Sequence, residues 1–296
     1  MTILVTGASG LIGSHLCRRL ALDGYPVVGL FHNTANPKLF GVSAAPPFES
    51  ERGDIRDLPG IRRILVNRKV RTVFHLAAHV PYRDNPDFIG ANSEGTSNML
   101  LACLHSKVEE FIYASSTSVY SSPPYYLPVK ESHPTDPNNL YGRTKLYGEQ
   151  FCELVGDNMR TTVVRYAGVY GSGMADRIVS TLVCSALRDN PITMFGDGNN
   201  SSDFVYVDDI VEGTILAWRK QVHETYNIGS GQETNIATLA HKIIDLTGSK
   251  SKVSFSGEAD RPFRFVADIS KARNELGYNP GSLVQGLEKY QGEMSK

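Results

Sequence analysis

The apolar run Thr2 to Thr6 (TILVT) is followed at once by Gly7-Ala-Ser-Gly10-Leu-Ile-Gly13. Three glycines at this spacing, between a strand and a helix, leave the chain few options. The turn must be tight, strand and helix must approach closely, and the first N–H groups of the helix are left without intrahelical acceptors. The negative charge of a pyrophosphate is favoured at such a helix start. The spacing is G-x-x-G-x-x-G rather than G-x-G-x-x-G, but the physical demands are the same. A turn with mere packing glycines is the alternative, and the strand-turn-helix context argues against it. His15 to Leu22 reads as the helix, Gly24 ends it, and Pro26 to Phe31 reads as the second strand. The chain therefore opens with a βαβ unit.

The alternation continues. Thr72 to Leu76, Glu110 to Ser115 and Thr161 to Tyr166 read as strands, and Asn92 to His105 and Tyr141 to Val155 as helices. This predicts an α/β fold with a doubly wound parallel sheet. Pro123 to Pro137 holds five prolines and reads as a loop. After Val169 the texture changes, with helices expected over Ile178 to Arg188 and Ile236 to Thr247. We expect a dinucleotide-binding domain over 1–167, to which 203–228 returns. A smaller C-terminal lobe for substrate is expected from 168–202 and 229–296. Lysine plus arginine (30) nearly balances aspartate plus glutamate (31), which gives no broad pull on nucleic acid or an anionic membrane. No apolar run approaches the ~20 residues of a membrane helix. Cys17, Cys103, Cys152 and Cys184 have no C-x-x-C spacing, so no metal site is expected. Reduced cysteines and the lack of a signal peptide point to a cytoplasmic protein.

Tyr141-Gly-Arg-Thr-Lys145 is Y-x-x-x-K, and the i, i+4 spacing puts both side chains on one helix face. An ammonium near a phenol favours the phenolate, so the tyrosine can exchange a proton with a substrate hydroxyl near neutral pH. Lys145 can also hold the nicotinamide ribose. Upstream, Ala114-Ser-Ser-Thr-Ser-Val-Tyr120 supplies hydroxyls that can bind the same substrate oxygen. The usual carboxylate for the adenosine ribose of NAD is missing at the end of the second strand. Phe31, His32 and Asn33 stand there instead; His32 and Lys38 could approach a 2′-phosphate. NAD or NADP is therefore the expected cofactor, with NADP accepted. His75 and His79 read as packing or loop residues, Asp197 as a turn residue, and Asp208 and Asp209 as acids capping a helix. Tyr166 and Tyr170 read as pocket or core residues.

These motifs resemble the extended short-chain dehydrogenase/reductases, in particular the nucleotide-sugar epimerases and dehydratases. The resemblance rests on TGASGLIG at 6–13, GDIRD at 53–57, HLAA at 75–78, NSEGT at 92–96, ASSTSVY at 114–120 and YGRTK at 141–145. It continues through GVYG at 168–171, FGDG at 195–198, DFVYVDDI at 203–210, YNIGSG at 226–231 and DISKARNELGY at 268–278. It implies that Gly7, Gly10, Leu11, Ile12 and Gly13 hold the cofactor, with Asp54 and Ile55 flanking the adenine. It also implies that Leu76, Ala77, Ala78 and Tyr166 line the cofactor and that Asn92 supports the site. Ser116, three residues before Val119, corresponds to the catalytic hydroxyl; Thr117 is the near alternative and a substrate contact. A homodimer through the helices carrying Asn92 and Tyr141 is implied as well.

Three departures from the family pattern bear on the substrate. Dehydratases follow the catalytic hydroxyl with an acidic pair, whereas Thr117-Ser118 stands here, so dehydration is not expected. Gly168 stands where these enzymes often carry asparagine, and Ser202 where they often carry a diphosphate-binding arginine; Arg261 matches a second such arginine, and Arg264 lies near it. The expected function is sugar 4-epimerisation or 4-ketosugar reduction, on a small-molecule substrate that is a nucleotide sugar. The alternatives are an NADPH ketoreductase for a non-nucleotide carbonyl compound, or a cofactor sensor without turnover, which would not need Ser116, Tyr141 and Lys145 together.

Overall fold

The computed structural model describes residues 1–32, 48–80, 87–174, 177–257 and 263–294. The first half runs β1 (Thr2–Thr6), α1 (Leu11–Leu22), β2 (Val27–Phe31), β3 (Glu49–Arg52), α2 (Leu58–Asn67), β4 (Val70–His75), α3 (Gly95–His105), β5 (Glu110–Ser116), α4 (Leu140–Val155) and β6 (Arg160–Tyr166). The second half runs β7 (Gly168–Tyr170), α5 (Ile178–Ala186), β8 (Ile192–Phe195), β9 (Ser201–Tyr206), α6 (Val207–Lys220), β10 (Thr225–Ile228), β11 (Glu233–Asn235), α7 (Ile236–Thr247), β12 (Val253–Ser256), α8 (Ser270–Leu276) and α9 (Leu283–Met294).

Seven strands form one sheet in the order β10-β6-β5-β4-β1-β2-β3, and every pairing in it is parallel. Parallel strands need crossovers, and the helices that supply them cover both faces. Leu16 and Leu20 of α1 share one core with Ile215 and Trp218 of α6. Ile61 of α2, Met99 and Cys103 of α3 and Cys152 of α4 belong to the opposite core. Strand order reverses between β1 and β4, which opens a crevice at their carboxyl ends. Two smaller sheets, β11-β9-β7 and β12-β8, lie outside the large one and pack with α5, α7 and α9 around a third core. No helix of the described residues is long and apolar enough to cross a membrane.

Sequence reading assigned no element between residues 31 and 72, where the chain forms β3 and α2. The signal was present: Asp57 caps α2 by accepting from the Gly60 N–H at 3.1 Å, and Pro59 sits in the first turn. Asp208 and Asp209 are not caps, because Tyr206 holds that position in α6. They lie in the first turn, where the helix dipole favours acids. There Asp208 meets His15 at 3.4 Å, and Asp209 accepts from the Gly281 N–H. The α3 helix is preceded by a π-helical segment, Phe88–Glu94, which carries Asn92.

Two helical glycines test this packing. A Cβ at Gly148 in α4 would lie 2.1 Å from Tyr113 Oη, whereas one at Gly292 in α9 would meet nothing within 4 Å. Gly148→Ala is expected to destabilise by about 1–3 kcal/mol through overpacking. Gly292→Ala should stabilise by up to about 1 kcal/mol through helix propensity. Urea titration of both variants checks the contrast.

Candidate active site

A cavity of about 440 Å³ opens at the crevice between β1 and β4. It brings together Gly7, Gly10, Leu11, Ile12 and Gly13 from the first turn, Leu76 and Ala78 from the end of β4, and Tyr141 and Lys145 from α4. Tyr166, at the end of β6, also lines it, although its hydroxyl is engaged with Thr214 Oγ1 at 2.8 Å.

The glycine turn is held by contact rather than by loop freedom. Gly7 has φ of 67°, and a Cβ there would come within 2.8 Å of Ala77 N. A Cβ at Gly13 would lie 2.2 Å from the Gly7 carbonyl oxygen. Backbone therefore packs on backbone at both positions, and the free N–H groups at the start of α1 line the cavity. That arrangement fits a dinucleotide pyrophosphate.

Beneath the turn, Thr6 Oγ1 accepts from the Leu76 and Ala77 N–H groups at 3.1 and 3.0 Å. Its proton then goes to His75 Nδ1 at 2.9 Å, leaving Nε2–H to donate to Thr96 Oγ1. Thr96 in turn donates to the Asn92 carbonyl at 2.6 Å. Burial pushes His75 down to about 3, with the nearby Lys145 charge acting the same way, so the ring is neutral. His75 is a packing residue, as the sequence implies. Asn92 supports the site from behind: its side chain bridges His79 N–H, His79 carbonyl and Thr144 Oγ1.

Asn139 caps α4 by accepting from the Gly142 N–H, which fixes where Tyr141 and Lys145 begin their shared face. Lys145 is 4% exposed and donates from Nζ to the Ala114 carbonyl at 2.8 Å. Its ammonium also lies 5.1 Å from the centre of the Tyr113 ring. Burial lowers its pKa to about 8, and Glu149, one turn further along α4, opposes the shift. Tyr141 is partly exposed beside Phe88, with ring centres 6.1 Å apart.

The hydroxyl cluster divides its work. Ser115 lines the cavity, but its Oγ donates to Glu149 Oε1 at 2.5 Å. Glu149 in turn receives Arg165 at 3.0 and 2.6 Å. Ser116 ends β5 and caps the short 3₁₀ turn Thr117–Val119, with its Oγ accepting from the Ser118 N–H at 3.1 Å. Ser116 and Thr117 directly follow Ser115, which lines the cavity.

At the end of β2 the two described residues expected near the adenosine ribose differ in exposure. Phe31, the last residue of β2, is 4% exposed and belongs to the core. His32 is the exposed residue there, with Nε2 3.2 Å from Asp54 Oδ2. Arg56 grips the same carboxylate through Nε and through a second nitrogen at 2.7 Å. Those hydrogen bonds hold Asp54 down to about 2. Sequence reading missed Arg56, although it lies within the GDIRD motif. Ile55 packs against Gly95. Asn33 and Lys38 lie outside the described residues.

The expected diphosphate clamp is only partly visible. Gly168 pairs with Phe204, and a Cβ there would lie 2.7 Å from the Asp203 carbonyl oxygen; an asparagine would force β7 and β9 apart. Arg264 is taken up by a bidentate pair with Glu233, at 2.7 and 2.8 Å. Arg261 and Glu258 lie outside the described residues. Arg177, which sequence reading did not single out, does line the cavity, together with Val80, Val169, Gly173 and Met174. No group of three or more histidines, cysteines or acids suited to a metal occurs among the described residues.

Comparison with known proteins agrees with this geometry. Residues 3–229 match the model of the NAD dependent epimerase/dehydratase family. The UDP-glucose 4-epimerase of Mycolicibacterium smegmatis is 30% identical, over 98% of this chain and 97% of its own. The crystal structure of UDP-glucose 4-epimerase with UDP-glucose from Thermotoga maritima superposes with a TM-score of 0.91, at 28% identity, covering 100% of this chain and 99% of that one. The UDP-glucuronic acid 4-epimerase from Bacillus cereus, in complex with UDP-glucuronic acid and NAD, gives 0.87 at 32% identity, with the same coverage. Glycine turn, Tyr141/Lys145 pair and whole-chain similarity agree: the chain is an enzyme of the extended short-chain dehydrogenase/reductase type, and it belongs to the NAD dependent epimerase/dehydratase family.

Proposed function

We propose that the chain is an NAD(P)-dependent 4-epimerase of a nucleotide sugar. The observation that carries this is the shared cavity, in which Tyr141 and Lys145 stand opposite the glycine turn of α1. The relatives act on UDP-sugars by name, and two solved neighbours hold both UDP-sugar and NAD. A bound nicotinamide ring supplies a hydride acceptor and donor. With the nicotinamide bound, Tyr141 Oη would take the proton from the C4 hydroxyl as the C4 hydride leaves, and would return it to the same oxygen when the hydride re-adds to the opposite face of the ketone carbon. Lys145 keeps the phenol acidic with its buried charge and orients the nicotinamide ribose. Ser116 or Thr117 donates to the reacting oxygen. Residues 168–202 and 229–296 serve as the substrate lobe, and 1–167 with 203–228 as the cofactor domain. The same reading includes a homodimer through α3 and α4, whose outer faces expose Leu101, Tyr147 and Leu154. The occupied Arg264 favours one second reading, a reductase for a substrate without a diphosphate.

Incubation with UDP-glucose and UDP-glucuronate should give the 4-epimer of at least one, without net NADH accumulation. Tyr141→Phe should lower that turnover by at least ~10²-fold with cofactor binding kept. Near-normal turnover in the variant would remove Tyr141 from the chemistry. If no nucleotide sugar is converted but a simple ketone is reduced, the second reading holds.

Lys145 gives a pH test. Its folded pKa of about 8 lies below the ordinary lysine value of 10.5, so burying the charge costs stability fully below about pH 8. That cost disappears as pH rises from about 8 to 10.5, where both states become neutral. Lys145→Met should therefore stabilise the fold at pH 7 by on the order of 2 kcal/mol while abolishing turnover. The stability gain should shrink above pH 8; a gain independent of pH, or a loss, contradicts the assignment.

We also infer that NADP(H) is accepted. The carboxylate beside β2, Asp54, is engaged by Arg56 and lies 3.2 Å from His32, so it is not a bare acid that would repel a 2′-phosphate. Titration of both cofactors should show no NAD(H) preference above about tenfold, or ~1.4 kcal/mol. Arg56→Ala should weaken NADP(H) more than NAD(H).

A further inference from the structure

We propose that Glu149 is a positioning residue for the Tyr141/Lys145 pair: it ties the end of β5 to α4 and so keeps the Lys145 ammonium on its carbonyl. This rests on the epimerase reading above and adds to it a residue that acts through Ser115 and Lys145. The tie is double. From α4, Lys145 Nζ reaches the Ala114 carbonyl at 2.8 Å. One turn on, Glu149 Oε1 accepts from the hydroxyl of the next strand residue, Ser115, at 2.5 Å. The i, i+4 spacing puts both groups on the helix face that meets β5. Two adjacent residues at the strand end are thus held by two residues of one helix. Ser115 lines the cavity, and Ser116, the candidate hydroxyl, follows it. The acceptor of Lys145 and the hydroxyl segment therefore share one anchor.

The strand register supplies the rest. Ser115 pairs with Arg165 across β5 and β6, so both side chains rise from the same face of the sheet toward α4. Arg165 forks Glu149 at 3.0 and 2.6 Å, which holds the buried carboxylate in one orientation. Its charge matters as well as its bonds. The titratable groups facing Lys145 are His75 of β4, Tyr113 of β5, and Tyr141, Glu149 and Cys152 of α4, with Arg165 of β6 behind Glu149. His75 is neutral, and burial pushes the Cys152 thiol up. Among these groups Glu149 is the anion that offsets the burial of the ammonium. Without it, Lys145 would lose charge at lower pH, and the unpaired Arg165 would push the same way. Glu149 and Arg165 also line a second cavity, of about 420 Å³, with Glu153, His223 and Glu224, which gives a substituted side chain room to be hydrated.

The test uses the full chain with bound NAD and compares wild type with Glu149→Gln, Glu149→Asp and Ser115→Ala. Two quantities are read. One is the pH profile of kcat for the nucleotide sugar that wild type converts best. The other is the titration of Lys145 by NMR of isotope-labelled lysine, its signal being the one missing from Lys145→Met. Glu149→Gln keeps the side-chain size and an acceptor for Ser115 but removes the charge. It should move the alkaline limb of kcat and the Lys145 titration to lower pH together, by about half a unit or more, with KM and NAD affinity within about twofold of wild type. Glu149→Asp, which restores the charge, should reverse much of that shift. Ser115→Ala, which leaves the Glu149–Arg165 pair intact, should lower kcat roughly three- to tenfold with KM kept. A Glu149→Gln enzyme that loses activity equally at every pH, with the Lys145 titration unmoved, has lost structural support alone and overturns the inference while the epimerase reading stands. Should Glu149→Gln not fold, Ser115→Ala decides, and an unchanged kcat there overturns the inference. If wild type converts no nucleotide sugar, the epimerase reading falls, and the Lys145 titration by itself decides whether Glu149 positions the lysine.

Discussion

Lys145 sits with its ammonium buried, donating to the Ala114 carbonyl at the end of β5. A lone charge in that position would deprotonate or draw in water. The surroundings counter this in several ways. The Tyr113 ring offers its face at 5.1 Å, and Glu149 follows one turn along the same helix. Glu149 is itself too costly to bury alone, so Arg165 of β6 forks it and Ser115 adds a third hydrogen bond. Arg165 then donates to Tyr120 Oη, which donates to Asn227 of β10. One buried cation thus requires compensating polar groups across three adjacent strands of the sheet. Those strands fix α4, and α4 carries Tyr141.

A second polar network holds the cofactor side. Thr6, His75, Thr96 and Asn92 form a continuous hydrogen-bonded line from β1 through β4 to the segment before α3. Each member has its donors and acceptors used, and the neutral ring of His75 makes the line possible without a second buried charge. Asp203 does similar work for the small sheet. Burial pushes its carboxyl up, and four donors hold it: the Ser230 N–H and hydroxyl, the Gly231 N–H and the Ala267 N–H. The strand after the crevice and the C-terminal segment are therefore tied to one residue of β9.

The parts of this molecule that could be read from sequence are those where local chemistry is decisive. The glycine turn was legible because a close backbone approach admits no other residue at Gly13. Tyr141 and Lys145 were legible because helical spacing alone places them together. The large parallel sheet followed from buried apolar runs, and the π-helical start of the α3 region did not, since its side chains read equally well as an ordinary turn of helix. Phe31 shows the limit most clearly. Its position at the end of β2 was evident, but a strand side chain alternates between faces, and which face is core depends on residues far along the chain. Arg177 was missed for a related reason: no spacing links it to Tyr141, and only the packing of α5 on the third core puts it on the cavity wall.

The departures from the family pattern fall on one side of the site, and the structure gives them a common physical sense. At Gly168, β7 and β9 run so close that no side chain fits between them. Ser202 lies on that same β9, so both positions are narrow or neutral here. Charge on the opposite wall is partly cancelled within the protein, because Glu233 of β11 occupies Arg264. The proton-transfer end of the cavity is under different constraints. Removing Glu149 would leave Arg165 buried without its carboxylate, at a cost of about 3–5 kcal/mol for a broken buried ion pair. Altering the lobe disturbs no such pair. The proton-transfer end of the cavity is thus tied to the buried Arg165–Glu149 pair, whereas the Arg264–Glu233 pair of the lobe is more exposed.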